Sequence, residues 1–173
     1  MYRILIFSLF FIIVLGGCSK PYPPLATVND VNLQKYLGTW YEIARYEHFF
    51  EKGCRDVTAT YSLKDNGDIK VVNRCVKDAK TTEAVGVAYA TNRSNSKLKV
   101  SFFRPFYGNY WIIMLDENYH YAVVGDPSRE YLWILARTPV LDQAILDDIL
   151  KRLPNMGYSI EPLIWTPQRI KGV

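Results

Sequence analysis

The sequence predicts an all-β protein, an eight-stranded up-and-down antiparallel barrel with one C-terminal α-helix packed outside it. Three observations support this prediction. Segments with the apolar–polar alternation of strands recur between positions 40 and 137. Turn-forming residues separate these segments, and a single stretch with helical periodicity follows Pro139. Eight short strands in succession favour a barrel, because closure removes exposed sheet edges.

The chain begins with a predicted targeting segment. Arg3 precedes an apolar run over 4–15, which is shorter than the roughly 20 residues of a spanning helix and is typical of a secretory signal. The run ends at Leu15-Gly16-Gly17-Cys18, which resembles the lipobox of bacterial lipoproteins, where the cysteine becomes the first mature residue and carries acyl chains. We therefore expect a lipoprotein signal peptide over 1–17 and lipidation of Cys18. A plain secretory signal with an incidental cysteine is the alternative.

The residue after this cysteine and the prolines beyond it bear on where the domain sits. Ser19, rather than an aspartate, follows Cys18, and by the same resemblance this favours the outer membrane. Residues 18–32 contain prolines that favour an extended chain, so a tether is expected there. Such a tether would hold the domain, over 33–173, a few tens of Å from the lipid surface at most.

The strands follow a short helical turn over 31–36. Val57 to Leu63 alternates apolar and polar residues, and 64–68 contains the Asn-Gly pair of a hairpin turn. The eight strands are expected near 40–47, 55–63, 69–75, 83–90, 97–103, 110–116, 119–125 and 131–137.

A helix is predicted over 141–153, and Pro154 ends it. Its apolar stripe is expected to pack on the outside of the barrel. A membrane-surface helix is disfavoured, because the polar face is acidic. Residues 158–165 are expected to form a final short strand along an edge.

Strand counting brings three distant residues to one end of the barrel. Connections alternate between the two ends, so Trp40 at the start of the first strand, the turn at 116–119 and Arg137 at the end of the eighth strand lie together. This predicts a cation–π contact between Arg137 and Trp40, with Gly38 permitting a tight backbone approach. Trp40 would then close the floor of the barrel; an ordinary core aromatic is the alternative.

These residues resemble the three structurally conserved regions of the lipocalins. The resemblance is carried by Gly38-x-Trp40, by Asp116 with Tyr119 or Tyr121, and by Arg137 after the run 131–136. Adjoining segments are similar to bacterial outer-membrane lipocalins and, more distantly, to apolipoprotein D. The resemblance covers nearly all of 33–167 and implies a cup-shaped barrel with Gly38, Trp40 and Arg137 at its floor. It also implies a non-enzymatic role in lipid storage or outer-membrane maintenance.

Alternation selects the side chains that face the barrel interior. The residues predicted to bind lipid are Ala44, Tyr46, Val57, Ala59, Tyr61, Val71, Asn73, Ala88, Val100, Phe102, Tyr110, Ile112, Tyr131 and Trp133. Met114 is also expected to face inward. The strand over 83–90 is ambiguous, because either Gly86, Ala88 and Ala90 or Val85, Val87 and Tyr89 could face in.

The predicted wall is apolar and aromatic and suits an acyl chain whose head group stays near the mouth. A barrel filled by its own side chains is the alternative. Glu42 either orients a polar head group or is a buried carboxyl paired with a tyrosine.

Cys54 and Cys75 remain as an even pair in an oxidising compartment. Both are expected near the open end on neighbouring strands. Regular pairing places Cys75 opposite about residue 57, so a bulge or a curl of the loop is needed to join them. A disulfide is favoured, and two free thiols are the alternative.

The leading functional hypothesis is a membrane-anchored, non-enzymatic carrier of fatty acids or lysophospholipids. The net charge of +4 comes from mixed signs without a basic run, which gives nucleic-acid binding little support. His48 and His120 are expected at opposite ends, so neither a metal site nor a catalytic site is predicted, and no cofactor is expected. A structural envelope lipoprotein with a protein partner or a second copy is one alternative, and an enzyme using the same cavity is another.

Overall fold

The structure is a computed structural model that describes residues 22–169. The predicted signal peptide 1–17 and Cys18 lie outside the described residues. The eight barrel strands are β1 (Gly38–Arg45), β2 (Arg55–Leu63), β3 (Ile69–Lys77), β4 (Lys80–Ala90), β5 (Lys97–Phe103), β6 (Phe106–Leu115), β7 (Tyr121–Gly125) and β8 (Leu132–Ala136). The other elements are helices α1 (Leu33–Tyr36) and α2 (Gln143–Arg152), a short strand β9 (Ile164–Trp165), and 3₁₀ turns at Phe49–Glu51 and Leu153–Met156.

The eight strands form a closed barrel, as the sequence predicts. Consecutive strands pair antiparallel from β2 to β8, β8 pairs with β1, and β1 pairs back with β2. The closing contact sets Trp40 opposite Ala59. Above this contact β1 leaves β2, and β9 takes its place beside Ala44 and Arg45.

The connections define two ends of the barrel. At the closed end lie α1 and the turns that follow β2, β4 and β6, whereas the loops that follow β1, β3, β5 and β7 surround the open end. The turn after β2 contains the Asn-Gly pair, and Gly67 there has a φ of +85°, which glycine adopts without a steric cost.

Helix α2 packs against the outside of the barrel, as predicted. Its N-cap, Asp142, accepts hydrogen bonds from the backbone N–H groups of Ala144 and Ile145. Ile149 and, just after the helix, Leu153 are fully buried against apolar residues of the outer barrel wall. Burial of each such side chain contributes about 1.5–3 kcal/mol, which is sufficient to fix a ten-residue helix that would be marginal alone.

The final strand is shorter than predicted, because only Ile164 and Trp165 pair with β1. Tyr158 instead enters the core beneath α2, where its hydroxyl bonds the backbone N–H and C=O of Asp126. Within residues 22–169, no helix is both long enough and apolar enough to cross a membrane.

The described part of the predicted tether, residues 22–32, is docked on the barrel. Leu25 and Val31 are buried against the barrel, and the N–H groups of Val28 and Val31 donate to the carbonyls of Ile112 (3.0 Å) and Ser94 (2.9 Å). These apolar side chains and backbone donors are satisfied by docking along the barrel. The segment therefore belongs to the domain and runs from the open end to the closed end.

Candidate functional site: the barrel interior

The floor of the barrel has the predicted contact between Arg137 and Trp40. The guanidinium carbon lies 3.8 Å from the ring centroid of the fully buried Trp40. The indole N–H donates to the carbonyl of Tyr36 at 2.8 Å, and Arg137 donates to the carbonyls of Lys35 (2.7 Å) and Thr39 (2.9 Å). Gly38 has a φ of +90°, and a Cβ there would lie 3.4 Å from Arg137 Nη1. Arg137 therefore ties α1 and the start of β1 together beneath the indole.

Three tyrosine hydroxyls meet directly above this floor. The hydroxyl of Tyr110 lies 2.8 Å from those of both Tyr36 and Tyr61. Burial raises the pKa of Tyr61 to about 12, and it also raises the pKa values of Tyr36 and Tyr110. All three groups stay neutral at physiological pH. The two bonds use two of three O–H protons, so one donor is left for a ligand oxygen or a water molecule.

Most of the residues predicted to line the site face one continuous interior surface. Eight of them belong to the apolar cluster that surrounds Trp40: Ala59, Tyr61, Val71, Ala88, Val100, Tyr110, Ile112 and Trp133. Asn73 pairs across the sheet with Ala59 and follows the inward phase of Val71, and its Oδ1 is buried without a hydrogen-bond partner among the described residues. Val57 is also buried, near the open end of β2.

Strand β4 turns its small residues inward. Ala88 and Ala90 pack in the interior cluster, whereas Val85 is 57% exposed and Tyr89 is exposed on the outer face. Gly86 shares the inward phase, and a Cβ there would lie 2.8 Å from the ring of Phe102. The absence of side-chain bulk on this strand leaves width inside the barrel and lets the partly exposed Phe102 lie against the β4 backbone.

The inward orientation predicted for Ala44 and Tyr46 is wrong. The register of β1 on β8 shifts between Glu42 and Ala44, and such a bulge turns every later side chain to the opposite face. Ala44 and Tyr46 therefore pack in the outer cluster beneath α2, where the Tyr46 hydroxyl donates to the carbonyl of Ser159 at 2.6 Å. Neither residue lines the interior.

The same error affects Met114. A register shift between Ile112 and Met114 in the pairing of β6 with β7 leaves Ile112 inside and moves Met114 to the outer cluster. Both bulges lie beneath the face covered by α2.

The bulge in β1 brings a charged group into the wall that alternation did not predict. Arg45 is buried and donates from Nη1 to Glu42 Oε1 (3.0 Å) and from Nη2 to the carbonyl of Glu51 (2.8 Å). The Thr166 hydroxyl also donates to Glu42, and Trp133 Nε1 donates to Glu51 Oε2 (3.3 Å). Glu42 is thus paired with an arginine and a threonine and not, as one reading of the sequence had it, with a tyrosine.

Two buried carboxyls share the single guanidinium of Arg45. Burial raises the pKa of Glu42, and burial together with the neighbouring Glu42 charge raises the pKa of Glu51 to about 7. The sequence holds a signal for this cluster: Glu42 and Arg45, three residues apart in an apolar strand, share a face only if a bulge lies between them.

An aromatic stack leads from this cluster to the mouth. The ring centroid of His48 lies 4.7 Å from that of Tyr131 and 5.2 Å from that of Phe50. Tyr131 is in turn stacked on Trp133, with a distance of 5.9 Å between the ring centroids. Burial, and next the charge of Arg45, lower the pKa of His48 to about 4, so the ring is neutral at physiological pH. His120 lies at the closed end beside Asp116. Residues 22–169 contain no group of three potential metal-ligating side chains.

The predicted disulfide joins Cys54 and Cys75, whose Cα atoms are 5.5 Å apart. The register of β2 on β3 shifts between Arg55 and Thr58. This bulge supplies the displacement that regular pairing lacks, and the disulfide fixes the first loop of the open end to β3.

The closed eight-stranded barrel, the external helix and the floor of Gly38, Trp40 and Arg137 define a member of the lipocalin family. A family model described as the lipocalin-like domain matches residues 31–168, and the chain belongs to this family.

Several proteins are similar over nearly the whole chain. The outer membrane lipoprotein Blc of Citrobacter freundii is 45% identical over 157 residues, which cover 88% of this chain and 89% of that protein. Apolipoprotein D of Mus musculus is 36% identical over 166 residues, covering 89% and 84% of the two chains. Among solved structures, insecticyanin from the tobacco hornworm Manduca sexta matches with a TM-score of 0.71 at 20% identity, covering 86% of each chain. That last likeness concerns the fold alone.

Proposed function

We propose that the protein binds a single-chain lipid, a fatty acid or a lysophospholipid, inside its barrel and stores or carries it in the cell envelope. The observation that supports this most is the gradient of burial along the inner wall. Ile112 and Val71 near the floor are fully buried, whereas Val100, Ala59 and Trp133 above them are partly accessible although they face inward. The barrel is therefore packed at its base and open above it.

An acyl chain suits this lining energetically. Burial of each methylene contributes about 0.8 kcal/mol, so ten methylenes would contribute about 8 kcal/mol. Association costs at least about 4 kcal/mol in lost freedom. The surplus, joined by head-group contacts at the mouth, corresponds to millimolar or tighter binding.

Membership of the lipocalin family favours binding over catalysis, and we propose no reaction for this chain. The relative from Citrobacter freundii is named an outer membrane lipoprotein. Together with the lipobox-like Leu15-Gly16-Gly17-Cys18, this supports lipidation of Cys18 and an outer-membrane location. A lipid carrier at that site would support outer-membrane maintenance.

Filling the interior tests the proposal. Val100 lies between Ala88 and Gly108 on the inner wall, and Val100→Trp should fill the space above Ile112. The matched control is Val85→Trp, which places the same ring on the outer face of β4. We expect Val100→Trp to weaken displacement of a fluorescent fatty acid by palmitate at least tenfold, with no change for the control. Equal binding by both folded variants would contradict an interior site.

A further inference from the structure

We propose that the open end of the barrel docks directly on a lipid surface by inserting exposed phenylalanines from two of its loops. The proposal rests on the proposed lipid-binding function and adds the face through which lipid is exchanged. The partner is the surface of the membrane in which the chain is anchored.

Four phenylalanines at the open end are more than half exposed. Phe49 and Phe50, in the loop after β1, are 92% and 55% exposed, and Phe103 and Phe106, at the hairpin of β5 and β6, are 75% and 70% exposed. Each pair is internally packed: Phe49 and Phe50 meet edge to face at 5.3 Å, and Phe103 and Phe106 stack at 6.2 Å. The strand order places the loop after β1 and the hairpin of β5 and β6 on opposite sides of the mouth. Large exposed apolar side chains on both rims of one opening are suited to an interaction surface.

The charges of these two loops suit an anionic surface. Lys52 follows the first pair and Arg104 lies within the second, and both are exposed. Glu51, the acid next to Lys52, is turned inward toward Arg45 and Trp133, although Glu47 at the base of the loop is exposed. Long basic side chains beside phenylalanines are suited to an interface, because their stems lie along apolar surface while the charge stays in water.

The start of the described chain lies at the same end of the barrel. Arg129, in the loop after β7, donates to the carbonyl of Pro23 at 2.6 Å, and its guanidinium lies 5.2 Å from the ring of Tyr22. Arg129 also donates to the carbonyls of Pro127 (2.6 Å) and Met156 (3.2 Å). The entering chain is therefore fixed beside the open end, and it runs from there toward the closed end.

The docking of this segment shortens the spacer to the anchor. Tyr22 is four positions after Cys18, and four residue steps span at most about 14 Å when fully extended. A lipidated Cys18 would thus hold the Arg129 loop near the bilayer. The phenylalanine loops belong to the same end, so an acyl chain could pass from the bilayer to the interior along an apolar path.

A second copy of the chain is the competing occupant. The phenylalanines stand on loop tips instead of forming a flat face, and the short spacer brings this end to lipid first. Both features favour a bilayer.

Vesicle binding without the acyl anchor tests the proposal. The mature chain carrying Cys18→Ser is sedimented with vesicles of phosphatidylethanolamine and phosphatidylglycerol at a 3:1 ratio. The test variant is Phe49→Ser/Phe103→Ser/Phe106→Ser. The matched control, Leu63→Ser/Val140→Ser, removes two exposed apolar residues remote from these loops. We expect the phenylalanine variant to bind vesicles at least fivefold more weakly than the parent chain does. The control should bind vesicles as strongly as the parent chain.

Two further binding measurements distinguish a failure of this docking proposal from a failure of the proposed lipid-binding function. The phenylalanine variant should still bind fatty acid in vesicle-free solution, whereas Val100→Trp should lose fatty acid and still sediment with vesicles. Equal sedimentation of the phenylalanine variant and the parent chain would overturn the docking proposal and leave the proposed function standing. If the parent chain is dimeric and does not bind vesicles, and if the phenylalanine variant is monomeric, the exposed phenylalanines would instead form an interface with a second copy.

Discussion

Replacing Trp40 by alanine should lower the free energy of unfolding of the barrel without altering its ligand selectivity. Trp40 is fully buried, and loss of a buried tryptophan costs about 3–5 kcal/mol. No unsatisfied carbonyl adds to this cost, because Arg137 Nη2 still donates to the Tyr36 carbonyl at 3.2 Å. We therefore expect the free energy of unfolding to fall by about 4 kcal/mol, and the Tm to fall by about 10 °C.

Urea unfolding followed by far-ultraviolet circular dichroism measures this change. Trp165→Ala is the control, because Trp165 is 50% exposed and its loss should cost about 1 kcal/mol or less. Below the unfolding transition, Trp40→Ala should bind fatty acid with its affinity unchanged. A loss of stability below about 1 kcal/mol would refute the packing argument, and weakened binding at unchanged stability would show that Trp40 contacts ligand.

Three further predictions concern titration, cross-linking and the tyrosine cluster. The pKa of Glu51 is raised from 4.5 to about 7, so the stability that its protonated form contributes is lost as the pH rises from 4.5 to about 7. The pKa of His48 is lowered from 6.5 to about 4, so the stability that its neutral form contributes is lost as the pH falls from 6.5 to about 4. Urea unfolding at pH 5, 6 and 7 measures both effects. Relative to wild type, Glu51→Gln should become more stable as the pH rises, and His48→Phe should become more stable as the pH falls. A variant whose free energy of unfolding changes with pH in parallel with that of the wild type would contradict the assignment for that residue. Cys54→Ser/Cys75→Ser opens a link across a sequence separation of 21 and should lower the free energy of unfolding by about 3 kcal/mol, and an unchanged denaturation midpoint would contradict this. Tyr110→Phe leaves the hydroxyls of two buried tyrosines without their partner and should cost about 1–3 kcal/mol, with a neutral effect showing that water replaces it.

The barrel, its closure and its floor follow from features that the sequence displays directly. The Asn-Gly turn and the alternation of 57–63 specify strands and hairpins, and strand counting alone places Arg137 beside Trp40. These features are local or depend only on connectivity, so no knowledge of packing is needed to read them.

The bulges could not be predicted from alternation. Ala44 and Tyr46 continue the inward phase of Trp40 in the sequence, but one extra residue after Glu42 turns them toward α2. Their new environment is equally apolar, so hydrophobicity does not distinguish the two faces. The burial of Arg45 depends on Glu51 and Thr166, which lie far apart in the sequence and meet only in the folded chain.

The docking of residues 22–32 could not be predicted for a related reason. The prolines after Cys18 favour an extended chain, and residues 22–32 indeed form no helix or strand. Leu25 and Val31 nevertheless pack against apolar residues of distant strands, and these contacts form only in the folded chain.

Native mass spectrometry of the protein extracted from cell envelopes tests most directly whether the barrel holds a lipid. We predict one non-covalently bound single-chain lipid per polypeptide, which added palmitate displaces and which Val100→Trp lacks. A polypeptide that carries no non-covalently bound lipid, and that takes up no palmitate when it is added, would contradict lipid binding as the function of this barrel.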